Sequence, residues 1–110
     1  MLELSASNVI SYLVTLFFII GAVVNWIAPP KIANDYARWG YPPRFHYLTA
    51  VLEGLSAILL LLPTTRLFGA TLGALVMSAA ALTLLRHREN GHAVVPTVVL
   101  GLCIAAAALQ

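Results

Sequence analysis

Four apolar runs alternate with short polar stretches along the chain, over residues 7–28, 45–62, 66–85 and 91–109. Each is close to the ~20 residues that a helix rising 1.5 Å per residue needs to cross ~30 Å of hydrocarbon. No run shows the strict alternation of a barrel strand, and helices are the remaining way to cross a bilayer with every backbone group paired. Pro29-Pro30 and Pro63 are expected to stop the first and second helices. Pro96 is expected to interrupt the fourth. The expected fold class is therefore all-α: an integral membrane up-down-up-down four-helix bundle, one transmembrane domain over residues 1–110.

The connections sharpen that picture. A tight Pro63-Thr64-Thr65-Arg66 turn joins the second and third runs, and His87-Arg88-Glu89-Asn90-Gly91 joins the third and fourth. The first loop is longer, and its centre, Lys31 to Trp39, predicts a short interfacial helix between helices one and two. Tyr36, Trp39 and Tyr41 are the amphipathic aromatics that favour the headgroup region. Loops one and three carry Lys31, Arg38, Arg44, Arg86 and Arg88, whereas the turn between helices two and three carries Arg66 alone. The positive-inside rule then places loops one and three in the cytoplasm and both termini outside, in a multi-pass protein of the cell membrane.

Composition agrees. Of the 110 residues 61% are hydrophobic and 9% charged, against roughly 25% charged in soluble domains. A net charge of +2 with no basic face argues against nucleic-acid binding. The single cysteine, Cys103, excludes a disulfide framework and a CxxC metal pair. The first residues hold Glu3 and no Lys or Arg, so the first run is read as a retained helix rather than a cleaved signal.

Polar residues within the runs fall on faces. His46, Thr49, Glu53 and Ser56 recur every three or four residues on the second, and Ser11, Thr15, Ala22 and Asn25 on the first. The third offers Thr71, Ser78, Thr83 and Arg86. Glu53 is the acid of the second run, roughly 12 Å in from Phe45. A carboxyl at that depth costs several kcal/mol unless it is protonated, paired or wetted. Asn25, Arg86 and His92 come from the same membrane end, and Glu53, Asn25 and Arg86 are expected to converge on a pocket in the cytoplasmic half with the Tyr36–Tyr41 segment, including Trp39, above it. Glu53 is then either a structural carboxyl locked by Arg86 or Asn25, or a group serving a ligand, a proton or catalysis. Glu53, His46 and Arg86 are the catalytic candidates; Asn25, Tyr36, Trp39, Tyr41 and His92 are the ligand-binding ones. His87, Glu89 and His92 match no established metal spacing, so no metal is expected. Ser11, Thr15, Thr71 and Ser78 are expected to bond helix backbones. Gly69-xxx-Gly73 and Gly101-xxx-Ala105 permit close helix approach, inside one bundle or in a homo-oligomer.

The run Tyr36-Ala37-Arg38-Trp39-Gly40-Tyr41-Pro42, followed by Phe45, resembles the first loop of DoxX-like membrane proteins. Leu52-Glu53-Gly54 with Ala57-Ile58-Leu59-Leu60 resembles their second helix, and Arg66-Leu67-Phe68-Gly69-Ala70 and Thr83-Leu84-Leu85-Arg86 continue the likeness in order. The resemblance implies a small four-helix integral membrane protein. Members of the wider family are linked with quinone-coupled sulfur oxidation and with oxidative-stress complexes, and the thiosulfate-oxidising relatives act with a quinone and a partner subunit. This chain lacks a CxxC redox pair. The expected function is a polar intramembrane pocket around Glu53 for a lipophilic small molecule, with a quinone as candidate cofactor, nothing covalently bound, and a redox partner protein. Two alternatives stand beside it. One is a stand-alone membrane enzyme doing acid–base chemistry (isomerase, epoxide-opening or cyclase type) on a hydrophobic substrate. The other is a non-catalytic transporter subunit or assembly factor.

Overall fold

The computed structural model describes residues 5–109, and these form five helices and no strand. Helix α1 spans Ala6–Ile27; the Ser5 hydroxyl caps it by accepting from the Asn8 N–H. It ends at Ala28, whose φ of 47° is left-handed and lets its N–H close on Val24 O. Helix α2, Pro30–Arg38, follows at once. Pro30 therefore does more than stop α1: as the first residue of α2 it lacks only an N–H that would go unpaired there.

Helix α3 is Phe45–Leu61, α4 is Arg66–Arg86 and α5 is Val94–Ala108. Helices α1 and α4, of 22 and 21 residues, are long and apolar enough to cross a membrane. At 17 and 15 residues, α3 and α5 are shorter than the expected runs, about 25 and 22 Å long. The shortening of α5 has a local cause. The N–H groups of His92 and Ala93 turn back onto Glu89 O, so the helix starts at Val94 rather than Gly91. Pro96 accordingly lies in the first turn of α5 and interrupts nothing.

Helix α1 packs along α3 and α5, α4 packs along the same two, and α2 leans on α3. Their shared core holds Val14 and Phe18 of α1, Ala57 and Leu60 of α3, Met77 of α4 and Cys103 of α5. Two glycines set the spacing of α4. A Cβ on Gly69 would lie 2.7 Å from the Leu60 backbone nitrogen, and one on Gly73 would lie 2.7 Å from the Phe18 ring. These glycines thus serve packing within the chain, whereas Gly101 is exposed. The outer surface is apolar over most of its length: Leu13, Leu16, Ile20, Ile58, Leu75, Leu82 and Ile104 are all exposed.

Candidate functional site

Glu53 projects from the middle of α3 toward α1 and is 3% exposed. It fits because residue 21 of α1 is glycine. A Cβ there would collide with the Glu53 Oε2 and approach its Cδ to 2.9 Å. One turn further along α1, Asn25 Nδ2 donates to Glu53 Oε1 at 2.7 Å and to Gly21 O at 2.9 Å. Asn25 Oδ1 accepts from the Tyr36 hydroxyl at 2.7 Å. Two acceptors at the amide nitrogen and a donor at its oxygen fix which way the amide points. The Asn25 carbonyl accepts from His46 Nδ1 at 2.8 Å, which ties the start of α3 to the end of α1. Four residues from three helices thus form one connected chain ending at a carboxyl.

Glu53, Asn25 and Tyr36 form a polar corner of a cavity of about 400 Å³, while His46 lies outside its wall, and that volume is within the range that accepts a small organic ligand. The remaining wall is mostly apolar, from Phe17, Leu52, Met77, Leu84, Val95 and Pro96 among others, with Asp35, Thr49, Thr83 and His92 also lining it. Tyr36, Trp39, Tyr41 and Phe45 form an aromatic lip. Tyr41 stacks on Phe45 with ring centroids 4.4 Å apart, and Tyr36 packs on Trp39 and Tyr41. The Thr83 hydroxyl donates to Ala79 O, which leaves its oxygen to accept from the Tyr41 hydroxyl.

Glu89, in the loop between α4 and α5, holds the lip from the other side. It accepts from Trp39 Nε1 at 2.6 Å and from Arg38 Nη2 at 2.8 Å. Arg38 also pairs with Asp35 at 2.8 Å, and Asp35 with Lys31 at 3.3 Å. The Trp39 hydrogen bond, with the nearby Arg38 charge, holds the Glu89 carboxyl below its usual 4.5. Partial burial pushes Asp35 up, but its bonds to Arg38 and Lys31 outweigh that and hold it below 3.8.

The structure therefore brings Glu53, Asn25, Tyr36 and His46 into one hydrogen-bonded cluster, and Trp39 and Tyr41 into the cavity wall. His92 is exposed at the rim, 3.6 Å from Glu89. Arg86 is not brought in. It is the exposed last residue of α4 and lies outside the cavity wall. Leu84 faces inward, and two further residues turn Arg86 about 200° away. No cation pairs with Glu53 among the described residues. The expectation for Ser11 and Thr15 is also corrected. Their hydroxyls are buried without a hydrogen-bond partner among the described residues, whereas Thr71 does bond its own helix at Leu67 O. Sequence reasoning missed Gly21, although its place one turn before Asn25 on the polar face was the available signal. It also missed that Arg66 is buried. No group of three or more His, Cys, Asp or Glu suited to a metal occurs among the described residues.

A model of the DoxX-like family matches the chain over residues 9–106. No curated protein and no solved structure matches it.

Proposed function

The chain belongs to the DoxX-like family, a membrane protein by that membership and by two apolar helices of spanning length, and from that premise we propose that it binds a lipophilic small molecule at Glu53. In this reading α1, α3, α4 and α5 form a multi-pass up-down-up-down bundle in the cell membrane. The exposed leucine and isoleucine belt supports this, since water would not tolerate an apolar surface of that extent. Both termini lie outside, and the arginine-bearing loops face the cytoplasm.

The observation that carries the reading is the Glu53–Asn25 corner in a mostly apolar cavity of about 400 Å³. Such a cavity suits a flat hydrophobic molecule bearing one or two oxygens, and a quinone is the leading class. The apolar wall would take the ring and tail. Glu53 would hold or pass a proton at one quinone oxygen, with Asn25 fixing the carboxyl. His46 has Nδ1 engaged by Asn25 O, leaving Nε2 as its exchanging position. Reduction of a quinone to a quinol takes two electrons and two protons, and the electrons would come from a redox partner protein. The test is mass spectrometry of small molecules extracted from gently purified wild type and Glu53→Gln. A quinone retained by the wild type and lost from the variant is expected; bulk lipid alone in both would sink the proposal.

A second reading is supported by the lack, among the described residues, of a cationic partner for Glu53. A carboxyl in an apolar wall without a countercharge is suited to act as a general acid on a hydrophobic substrate. Turnover by the purified chain with no electron donor, abolished in Glu53→Gln, would favour this reading over the quinone site.

A further inference from the structure

We propose that the end of the molecule opposite the Glu53 cavity binds an oxyanion, held by Arg66 with Ser7 and Ser11. Arg66 opens α4 yet is 3% exposed. Its Nε donates to Leu60 O at 3.1 Å and its Nη1 to Asn8 Oδ1 at 2.9 Å. Its Nη2 is buried and has no hydrogen-bond partner among the described residues. The bond to Asn8 places the guanidinium at the start of α1, whose first two turns carry Ser7 Oγ and Ser11 Oγ, likewise buried without a partner among the described residues. Ser7 and Ser11 are four residues apart and share one face of α1, and Thr15 continues that face one turn deeper.

Charge points the same way. Helices α1 and α4 both begin here, so two positive helix ends meet beside a guanidinium. Neither helix carries an acid in its first turn. The neighbouring carbonyls at the end of α3 are already taken, Leu59 O by the Thr65 hydroxyl and Leu60 O by Arg66. A buried guanidinium needs a countercharge, and buried polar groups in folded proteins are almost always partnered. One group that accepts from Nη2 and from two serine hydroxyls at once is a multi-oxygen anion, which Arg recognises through its planar fork. A lipid phosphodiester and a free phosphate share that chemistry.

The test is thermal unfolding of the full chain, delipidated in a neutral detergent, with three separate additions at matched ionic strength. These are inorganic phosphate, phosphatidylglycerol, and a diacylglycerol of the same tails. Either phosphate-bearing compound is expected to raise Tm by roughly 5 °C at saturation, and diacylglycerol not to. A shift with phosphatidylglycerol alone assigns a lipid headgroup; a shift with both assigns a site open to the free anion. Arg66→Gln should abolish the shift. Because that variant risks misfolding, Ser11→Ala, which removes one hydroxyl, should at least halve it. Glu53→Gln should leave it unchanged, separating this site from the ligand cavity. Two outcomes would overturn the proposal: no anion-dependent shift in the wild type, or a shift that survives both Arg66→Gln and Ser11→Ala.

Discussion

Glu53, in the middle of α3, and Arg66, at the start of α4, are equally buried, each 3% exposed, within the same group of helices. Their surroundings differ in kind. Around Glu53 the neighbours are arranged to receive it: a glycine makes room, an amide donates to it, and a phenol and an imidazole hold the amide. Around Arg66 two of the guanidinium nitrogens are bonded, and the third, like the buried hydroxyls of Ser7 and Ser11, has no hydrogen-bond partner among the described residues. One charge is embedded in a completed scaffold beside a cavity, and the other lies in an incomplete one. Burial alone therefore does not identify a site; the state of the neighbours says whether a group is preorganised or waiting for a partner.

The comparison can be broken most forcefully at the carboxyl. Glu53→Gln keeps an oxygen for Asn25 Nδ2 and should fold, but a quinone analogue should bind ten- to a hundredfold more weakly in a titration, the about 1.5–3 kcal/mol typical of a charged hydrogen bond. Next come the glycines, which separate fold from site. Gly69→Ala drives a Cβ into the backbone of Leu60 and should cost about 1–3 kcal/mol in denaturant unfolding, with ligand affinity little changed in the folded fraction. Gly21→Ala meets the movable end of a side chain instead. It should cost less stability than Gly69→Ala while weakening the ligand as Glu53→Gln does. If Gly21→Ala bound ligand normally, the Glu53 pocket would not depend on the notch.

Tyr36→Phe, which frees Asn25 Oδ1, should weaken ligand binding only several-fold, equivalent to about 1 kcal/mol. The smallest effect is expected at Glu89. Its carboxyl is depressed in the folded state, so the stability it adds is present above the usual 4.5 and lost as pH falls through the lowered value. The emission of Trp39, followed in a Trp26→Phe background, should therefore report release of the lip in acid, and Glu89→Gln should show that released emission already at neutral pH.

The helices were largely legible because apolar runs bounded by proline and polar turns leave few other options. Legibility failed at their ends. The start of α5 depends on which carbonyl the His92 and Ala93 N–H groups choose, and the apolar pattern does not encode that choice. In the candidate site, the spacing of Asn25 and Glu53 on facing helices was readable, and the structure does bring these two together. The direction of Arg86 was not readable. Its charge matched a partner for Glu53, but its angle around α4 is decided by the packing of Leu84. Arg66 misled in the opposite sense. In sequence it is the basic residue of a turn, and its bonds to Leu60 O and Asn8 hold it inside.

Asn25 engages Glu53, Gly21 and Tyr36 through its amide and His46 through its backbone oxygen. No other residue type offers two donors and an acceptor on so short a stem. Asp would lose the donors, Gln would overreach, and Leu would take the amide partner from both Glu53 and Tyr36. In a saturation library scored for function, position 25 should thus be among the least permissive in the chain, while the outward positions 13, 16 and 20 on the same helix should accept most apolar exchanges. A single amide would then set how far the sequence can drift before the pocket is lost.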